Sequence, residues 1–328
     1  MTIKTEELGL KIFDLLAENE IDLESFTSKD ISVSQIEVRD LREKDLDILS
    51  EKFKIDLFDL EDIYDQEERP RVDIDVQNQY IEFVLRFPLD YEEEVKSIPI
   101  ICFIKPNSYC LILHQHEHFI SMQTKQTKKI KVDKLLTNGL LPVYSLIKYL
   151  TGLAQETEKV IRQFQQIKDD LEDQIFKARE TSGLKDIFHL SKSVVIFENN
   201  SKGNLIQLRK LMNLEELKIQ SSPELGSKFD DLETDFEQYY DQVRIMREVI
   251  NSSLDAYGGI VSNNMNEIIK TLTIFTIFLS SPILIASVYG MNIDLPFAGH
   301  PLALVFVIFL SGLISLLMIL YMKRKNIL

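Results

Sequence analysis

Cysteine is almost missing from this 328-residue chain, which has only Cys102 and Cys110. No disulfide framework can staple it, and its bulk is expected in the reducing cytosol. Basic residues are also in short supply, with 37 Lys and Arg against 52 Asp and Glu for a net charge of −15. That balance excludes nucleic acid as a partner, because binding phosphates needs clustered Lys and Arg, and it suits a partner that is a cation. The opening MTIKTEELGL has neither the basic nor the apolar region of a signal peptide. A phosphate-binding glycine loop, a nucleophile elbow and a paired metal-ligand helix motif are all absent, so no enzymatic step is expected. No fixed-period repeat or low-complexity segment is present.

Charge itself is scarce at the C-terminal end. Past Lys270 the only charged residues are Asp294, Lys323, Arg324 and Lys325, whereas residues 1–270 carry 34 basic and 51 acidic side chains, a net charge of −17. The 23 residues 271–293 and the 22 residues 301–322 are each long enough to cross a hydrocarbon core of about 30 Å as a helix. Lys323, Arg324 and Lys325 close the second span and Lys270 precedes the first, while the connector 290–300 has no Lys or Arg. The positive-inside rule therefore puts both termini in the cytoplasm.

The polar residues Thr273, Thr276, Ser280 and Ser287 of the first span fall at helical steps, and Asn266 and Ile269 extend the stripe downward. Spacing alone fits two readings equally: small hydroxyl residues that let helices pack closely, or a line of hydroxyls facing a water-filled pore. One helix pair cannot enclose a pore, so the second reading needs several copies around an axis. The second span shows no such stripe and reads as lipid-facing, with Ser311, Gly312 and Ser315 as a close-packing spot.

Ahead of the spans, apolar spacing between charges predicts amphipathic helix over Leu41–Phe58. VDIDVQ, YIEFVLRF, SIPIICFI and YCLILH then predict a largely antiparallel sheet within 71–123. Two long helices are expected over 142–178 and 184–220. A third starts at Pro223 and meets no proline until Pro282, with Gly258-Gly259 as its weak point. His114, His116 and His118 could line one strand face in a zinc-binding geometry. Nothing at ligand spacing completes that set, and they read as polar residues at an exposed strand end. Cys102 and Cys110 read as core thiols, and Asp169, Asp170, Glu172 and Asp173 as a solvated helix face.

Tyr289-Gly290-Met291-Asn292 stands where the long helix leaves the membrane, before a short loop, a second span and a basic tail. This arrangement resembles the CorA family of divalent-cation (magnesium/cobalt) transport proteins, whose signature is YGMN at this junction. FKIDLFDLEDIYDQEERPRVD resembles the family segment in which an acidic pair, here Glu61-Asp62, precedes an Arg-Pro turn, here Arg69-Pro70-Arg71. SSLDAYGGIVSNNMNEIIKTLT resembles the run into the first span, with Asn266 at the pore mouth. Ile283, where many relatives have a hydroxyl, the position of Pro282, and the single loop carboxylate Asp294 depart from the family pattern.

The resemblance implies an α/β/α cytosolic domain (1–140), a helical hairpin (141–222) and the cytosolic part of a stalk helix (223–270). A pore-lining span (271–293), a GMN loop (290–300), a second span (301–322) and a basic cytosolic tail (323–328) complete the chain, which is expected to form a homopentameric channel in the cell's inner membrane. Its partners would be further copies of itself, membrane lipid and divalent cations: Mg²⁺ as cargo and regulator, with Co²⁺ as a second candidate cargo. Gly290, Met291 and Asn292 would form the selectivity filter, with Asn292 carbonyls, helped by the Gly290 backbone carbonyl, holding the ion's water shell, Met291 packing, and Gly290 giving a helix end able to turn left-handed. Asp294 would gather cations at the entrance. Asn266, Ile269, Leu272, Thr273, Thr276, Ser280, Ile283 and Ser287 would line the pore, with Ile269 and Leu272 as its apolar constriction. Glu61, Asp62 and Asp231 would bind regulatory metal. A Zn²⁺ transporter of the same superfamily and a membrane-anchored sensor or scaffold are the alternatives.

Overall fold

The computed structural model describes residues 11–14, 19–21, 35–39, 41, 43–88, 97–114, 140–177, 182–217, 219, 222–291 and 300–325. Asn292, Asp294, His116 and His118 lie outside these. The chain divides into two compact units, Met1–Ser252 and Ser253–Leu328.

In the first unit seven strands, β1 (Lys11–Asp14), β2 (Asn19–Ile21), β3 (Gln35–Arg39), β4 (Arg71–Asp75), β5 (Tyr80–Pro88), β6 (Ser97–Lys105) and β7 (Tyr109–His114), form one sheet in the order β2-β1-β3-β7-β6-β5-β4. The β4–β7 meander is antiparallel, with Phe83 opposite Cys102 and Cys102 opposite Ile112. Its expected strands are all present. What local pattern did not disclose is β3, which pairs parallel to β7 with Gln35 opposite Cys110. That pairing makes β7 an interior strand, so His114 at its end is fully buried. The exposed strand end expected there is thereby corrected.

Side chains alternate across the sheet, as the pleat requires. Ile81, Phe83, Leu85, Phe87, Cys102 and Cys110 face one core, shared with α3 (Leu141–Lys177), α4 (Ser182–Met212) and the start of α5 (Pro223–Tyr289). Tyr80, Val84, Ile101, Phe103 and Leu111 face the other, covered by α1 (Glu43–Phe53) and α2 (Leu57–Glu61). The result is three layers, helix, sheet and helix. Both cysteines are fully buried and free, with burial pushing their thiols up.

The α4 helix stops at Met212, short of the expected 220. Asn213 closes it: its N–H and that of Leu214 bond three residues back, and its side-chain amide donates to the Arg209 carbonyl at 2.8 Å, satisfying carbonyls that would otherwise be orphaned. Earlier in α4, Gly203 and Asn204 dock on the sheet. A Cβ at Gly203 would lie 3.0 Å from Pro70 Cγ. Asn204 accepts from Arg86 N–H at 2.9 Å and donates to Arg86 carbonyl at 2.6 Å, continuing the β5 ladder beyond the point where β4 begins.

The α5 helix runs for 67 residues without interruption at Gly258-Gly259 or Pro282. In the second unit its C-terminal part packs on α6 (Ala303–Arg324). The shielded positions of α5 there recur every fourth residue through Thr273, Ile277, Ser281, Ile285 and Tyr289, and those of α6 through Ala303, Val307, Ser311, Ser315 and Ile319. These rows make an antiparallel seam. At its middle, Ser281 Oγ donates to the Ser311 carbonyl at 3.0 Å, a cross-helix bond suited to an apolar medium. Ser311 and Ser315 are buried, but space is open around Gly312, so the serines carry the close packing and the glycine does not.

Candidate functional site

Two regions hold the residues singled out by sequence, one in each unit. In the second unit, Asn266, Ile269, Leu272, Thr276, Ser280, Ile283 and Ser287 all lie exposed on α5, while Thr273 is half-buried at the end of the seam row. With 3.6 residues per turn, Ser280, Ser287, Thr276 and Ile283 stand about 100°, 120°, 140° and 160° round the helix from Ser281 at the seam's centre, so the row flanks the seam and runs toward the opposite side. Ser281, one residue out of step with the stripe, does the packing in place of Ser280. Thr273 and Thr276 donate their hydroxyl protons to the carbonyls of Ile269 and Leu272, at 2.7 and 2.8 Å. With the proton used inside the helix, each oxygen keeps lone pairs for an outside donor such as ion-bound water. Both α5 and α6 contain segments long and apolar enough to cross a membrane.

The helix ends at Tyr289, but Gly290 N–H still bonds to Ala286 carbonyl at 2.9 Å, and Met291 N–H bonds to Val288 at 3.2 Å. Gly290 does not use the left-handed conformation open to it. Helical bonding simply persists one residue further. A Cβ at Gly290 would meet the Ala286 carbonyl at 3.3 Å, and Met291 is exposed. Where the chain returns, His300 opens α6: its Nδ1 accepts from Leu302 N–H at 3.2 Å and its carbonyl from Ala303 N–H at 2.9 Å.

In the first unit, α2 begins at Asp56, whose carboxylate accepts from Phe58 N–H at 3.0 Å. Tyr80 ties this helix to the sheet: its hydroxyl donates to Asp59 and accepts from Asp56 N–H. Glu61 ends the helix, and a single 3-10 turn, Asp62–Tyr64, follows. Asp62 Oδ2 is 2.6 Å from Arg71 Nη2. The same guanidinium reaches Glu82 at 2.7 Å, Asp73 at 3.0 Å, and Glu68. One cation thus meets four carboxylates. Burial pulls the Arg71 pKa down, but Glu82 and Asp62 more than offset this and it is raised. Beneath, Arg86 gives Nη1 to the Glu68 carbonyl at 2.8 Å and Nη2 to the Ser97 carbonyl at 2.8 Å, so both arginines hold the turn leading into β4. Sequence reasoning passed over Tyr80, Glu82 and Arg86. The signal was there, since they alternate with apolar residues in YIEFVLRF and share one face of β5.

Burial pushes the Glu82 carboxyl up to about 7 despite Arg71. Between the ordinary 4.5 and about 7 the folded chain holds a proton that the unfolded chain has lost, so this group's contribution to stability is full below 4.5 and declines as pH rises through 7. The span corresponds to about 3 kcal/mol per chain. A Glu82→Gln variant is expected to lose less thermal stability between pH 5 and 8 than the wild type. Parallel melting curves over that range check it, and identical pH slopes would refute it.

On α5, Asp231 is exposed. Nearby Asp235 has its pKa raised by burial, by Asp231 and by Glu158. Glu61, Asp62 and Asp231 are not among any converging set of ligating side chains in the described residues, where no group of three or more His, Cys, Asp or Glu comes together as a metal site. Glu61, Asp62 and Asp231 offer hard oxygen donors of the kind Mg²⁺ prefers, and water or a second chain would have to complete the shell.

Comparison with known proteins covers both regions. The chain is 26% identical over 308 residues to the cobalt/magnesium transport protein CorA of Methanocaldococcus jannaschii, spanning 93% of this chain and 94% of that one. It is 26% identical over 294 residues to the protein of the same name from Thermotoga maritima, spanning 85% and 78%. The complete structure of the M. jannaschii CorA magnesium transporter superposes with a TM-score of 0.72 at 24% identity over 96% of this chain and 97% of that one. The full-length CmaX protein shares the fold, with a TM-score of 0.67 at 12% identity over 95% and 98%. The family model described as CorA-like Mg2+ transporter protein matches residues 33–324, and with nearly the whole chain inside that match, this protein belongs to the CorA-like Mg²⁺ transporter family.

Proposed function

We propose that the protein is a membrane channel for Mg²⁺, with Co²⁺ as a second cargo, that several copies of the chain form around one axis. By resemblance the number of copies is five, with both termini in the cytoplasm of a cell whose inner membrane holds the channel. The observation that carries this reading is the exposed hydroxyl stripe of α5. Among the described residues Thr276, Ser280 and Ser287 lie outside the seam with α6, exposed in a segment otherwise apolar enough for lipid. Lipid is a poor neighbour for a row of hydroxyls, and a shared axis is a good one.

Ions are gathered at the entrance by Asp294 and held with their water shell by Asn292 carbonyls beside Gly290. Met291 packs between subunits. The ions then descend past Ser287, Ile283, Ser280, Thr276 and Thr273 to the apolar ring of Ile269 and Leu272, with Asn266 at the inner mouth. The membrane potential supplies the drive, about 4.6 kcal/mol for a divalent ion per 100 mV, so transport needs no chemical step. Glu61 and Asp62 of one subunit and Asp231 of its neighbour bind Mg²⁺ and hold the closed state.

Flux into liposomes carrying the purified protein, with Mg²⁺, Co²⁺ and Zn²⁺ presented in turn, tests the reading. Potential-dependent entry of Mg²⁺ and Co²⁺ is expected. Zn²⁺ alone would establish the zinc-transporter alternative, and no flux of any ion from an assembled protein would leave the spans as anchors.

A further inference from the structure

We infer that Arg71 is a built-in competitor of the regulatory cation: its guanidinium holds the Asp62 carboxylate in the ion-free chain and sets how much Mg²⁺ is needed to take it. This rests on the reading of Asp62 as a regulatory ligand and concerns what tunes that site. The planar fork of arginine presents five N–H donors and can engage several carboxylates at once, and here it engages four.

The four are not equivalent. The Glu82 side chain is only 4% exposed, and releasing it would strand a buried charge. Glu68 is 15% exposed, and its own carbonyl is tied to Arg86. Asp73 is the most exposed at 61%, but it stands on β4, where the sheet ladder with β5 fixes its backbone. Asp62 is 36% exposed and stands on a one-turn 3-10 helix ahead of the strand. It can turn outward while the guanidinium keeps three carboxylates, so Asp62 is the exchangeable member of the set.

While Asp62 Oδ2 stays on Arg71 the carboxylate is half neutralised and one oxygen is engaged. A divalent ion therefore has to outbid a charge-assisted hydrogen bond. The other three carboxylates weaken Arg71's claim by sharing it. Removing the guanidinium should make Mg²⁺ bind more tightly, and removing one of the sharing carboxylates should make it bind more weakly.

The measurement is the Mg²⁺ concentration that gives half-maximal protection of the full-length protein, in detergent, against limited proteolysis. Arg71→Gln combined with Glu82→Gln removes a buried pair together and is expected to lower that concentration about tenfold. Arg69→Gln combined with Glu67→Gln, which deletes the same two charges from the exposed turn, should move it less than twofold. Asp73→Asn alters an exposed position, leaves the arginine in place, and should raise it several-fold beyond the effect of Glu67→Gln, a charge-matched control on the exposed turn. Within an Asp62→Asn background the Arg71 change should lose its effect, as a double-mutant cycle requires for a direct contact. If Asp62→Asn alone leaves the midpoint unchanged, the regulatory reading fails and this inference with it. If Asp62→Asn shifts the midpoint but the Arg71 and Asp73 variants only track their charge controls, the competitor role alone is overturned.

Discussion

Replacing Asn292 by Ala is expected to reduce Mg²⁺ entry to background while the oligomer stays assembled. Mg²⁺ sheds its waters reluctantly, so a filter for it has to grip the water shell from outside with acceptors at fixed positions. In the proposed filter a ring of Asn292 carbonyls would meet that need, one residue beyond Met291 in sequence, where the last helical bonds run from Gly290 to Ala286 and from Met291 to Val288. At about 1 kcal/mol per hydrogen bond, losing five acceptors removes about 5 kcal/mol from the hydrated ion's site. With each tenfold worth about 1.4 kcal/mol, a fall of at least a hundredfold in flux is the conservative expectation. The α5–α6 seam is tied at its middle by Ser281 and Ser311, which the substitution leaves in place, so assembly should survive. Liposome flux alongside a molar-mass measurement in detergent checks both halves. An Asn292→Ala oligomer that conducts at the normal rate would show that selection occurs elsewhere.

How far the sequence announced all this depended on the range of the interactions. The meander from Arg71 to His114 was legible because each strand alternates or runs apolar between turn residues. The α5 helix was legible because no proline breaks it before the membrane. The parallel pairing of β3 with β7 left no local mark, since it joins residues about seventy apart, and the burial of His114 followed from it unseen. Ser280 and Ser281 are chemically identical neighbours. Only the position of α6 decides which one packs and which one is exposed, and no hydropathy profile contains that. In the acidic segment the motif around Arg69-Pro70-Arg71 was visible, but its clasp draws partners from residues 62, 68, 73 and 82. These come together only when a turn folds back along a strand. A left-handed turn at Gly290 was an option drawn from helix ends in general, and the structure instead continues the helix by one more bond.

The Asp62→Asn, Asp231→Asn double variant is expected to keep conducting at internal Mg²⁺ concentrations that silence the wild type, with the half-inhibitory concentration raised at least tenfold. Residues 1–270 carry a net charge of −17 per chain, so copies packed side by side repel one another through their acidic faces. Two carboxylates about 4 Å apart near a surface oppose each other by about 4 kcal/mol, and a divalent ion between them turns that repulsion into a bridge. Driving a two-state population from 1:99 to 99:1 takes about 5.5 kcal/mol, a total that five bridges reach at about 1 kcal/mol each. On the proposed reading Mg²⁺ binds the closed arrangement better, so its presence favours closure, and its loss lets the subunits part and the Ile269–Leu272 ring hydrate. The fold should tolerate both changes. Arg71 keeps Glu68, Asp73 and Glu82 when Asp62 is neutralised, and Asp231 is exposed, with its charge acting only to raise Asp235 further. Mg²⁺ should also lose most of its protective effect against proteolysis in this variant, because the bridge that tightens the first unit is gone. Currents recorded across a series of internal Mg²⁺ concentrations decide the matter: inhibition unchanged in the double variant would move the main sensor away from Asp62 and Asp231.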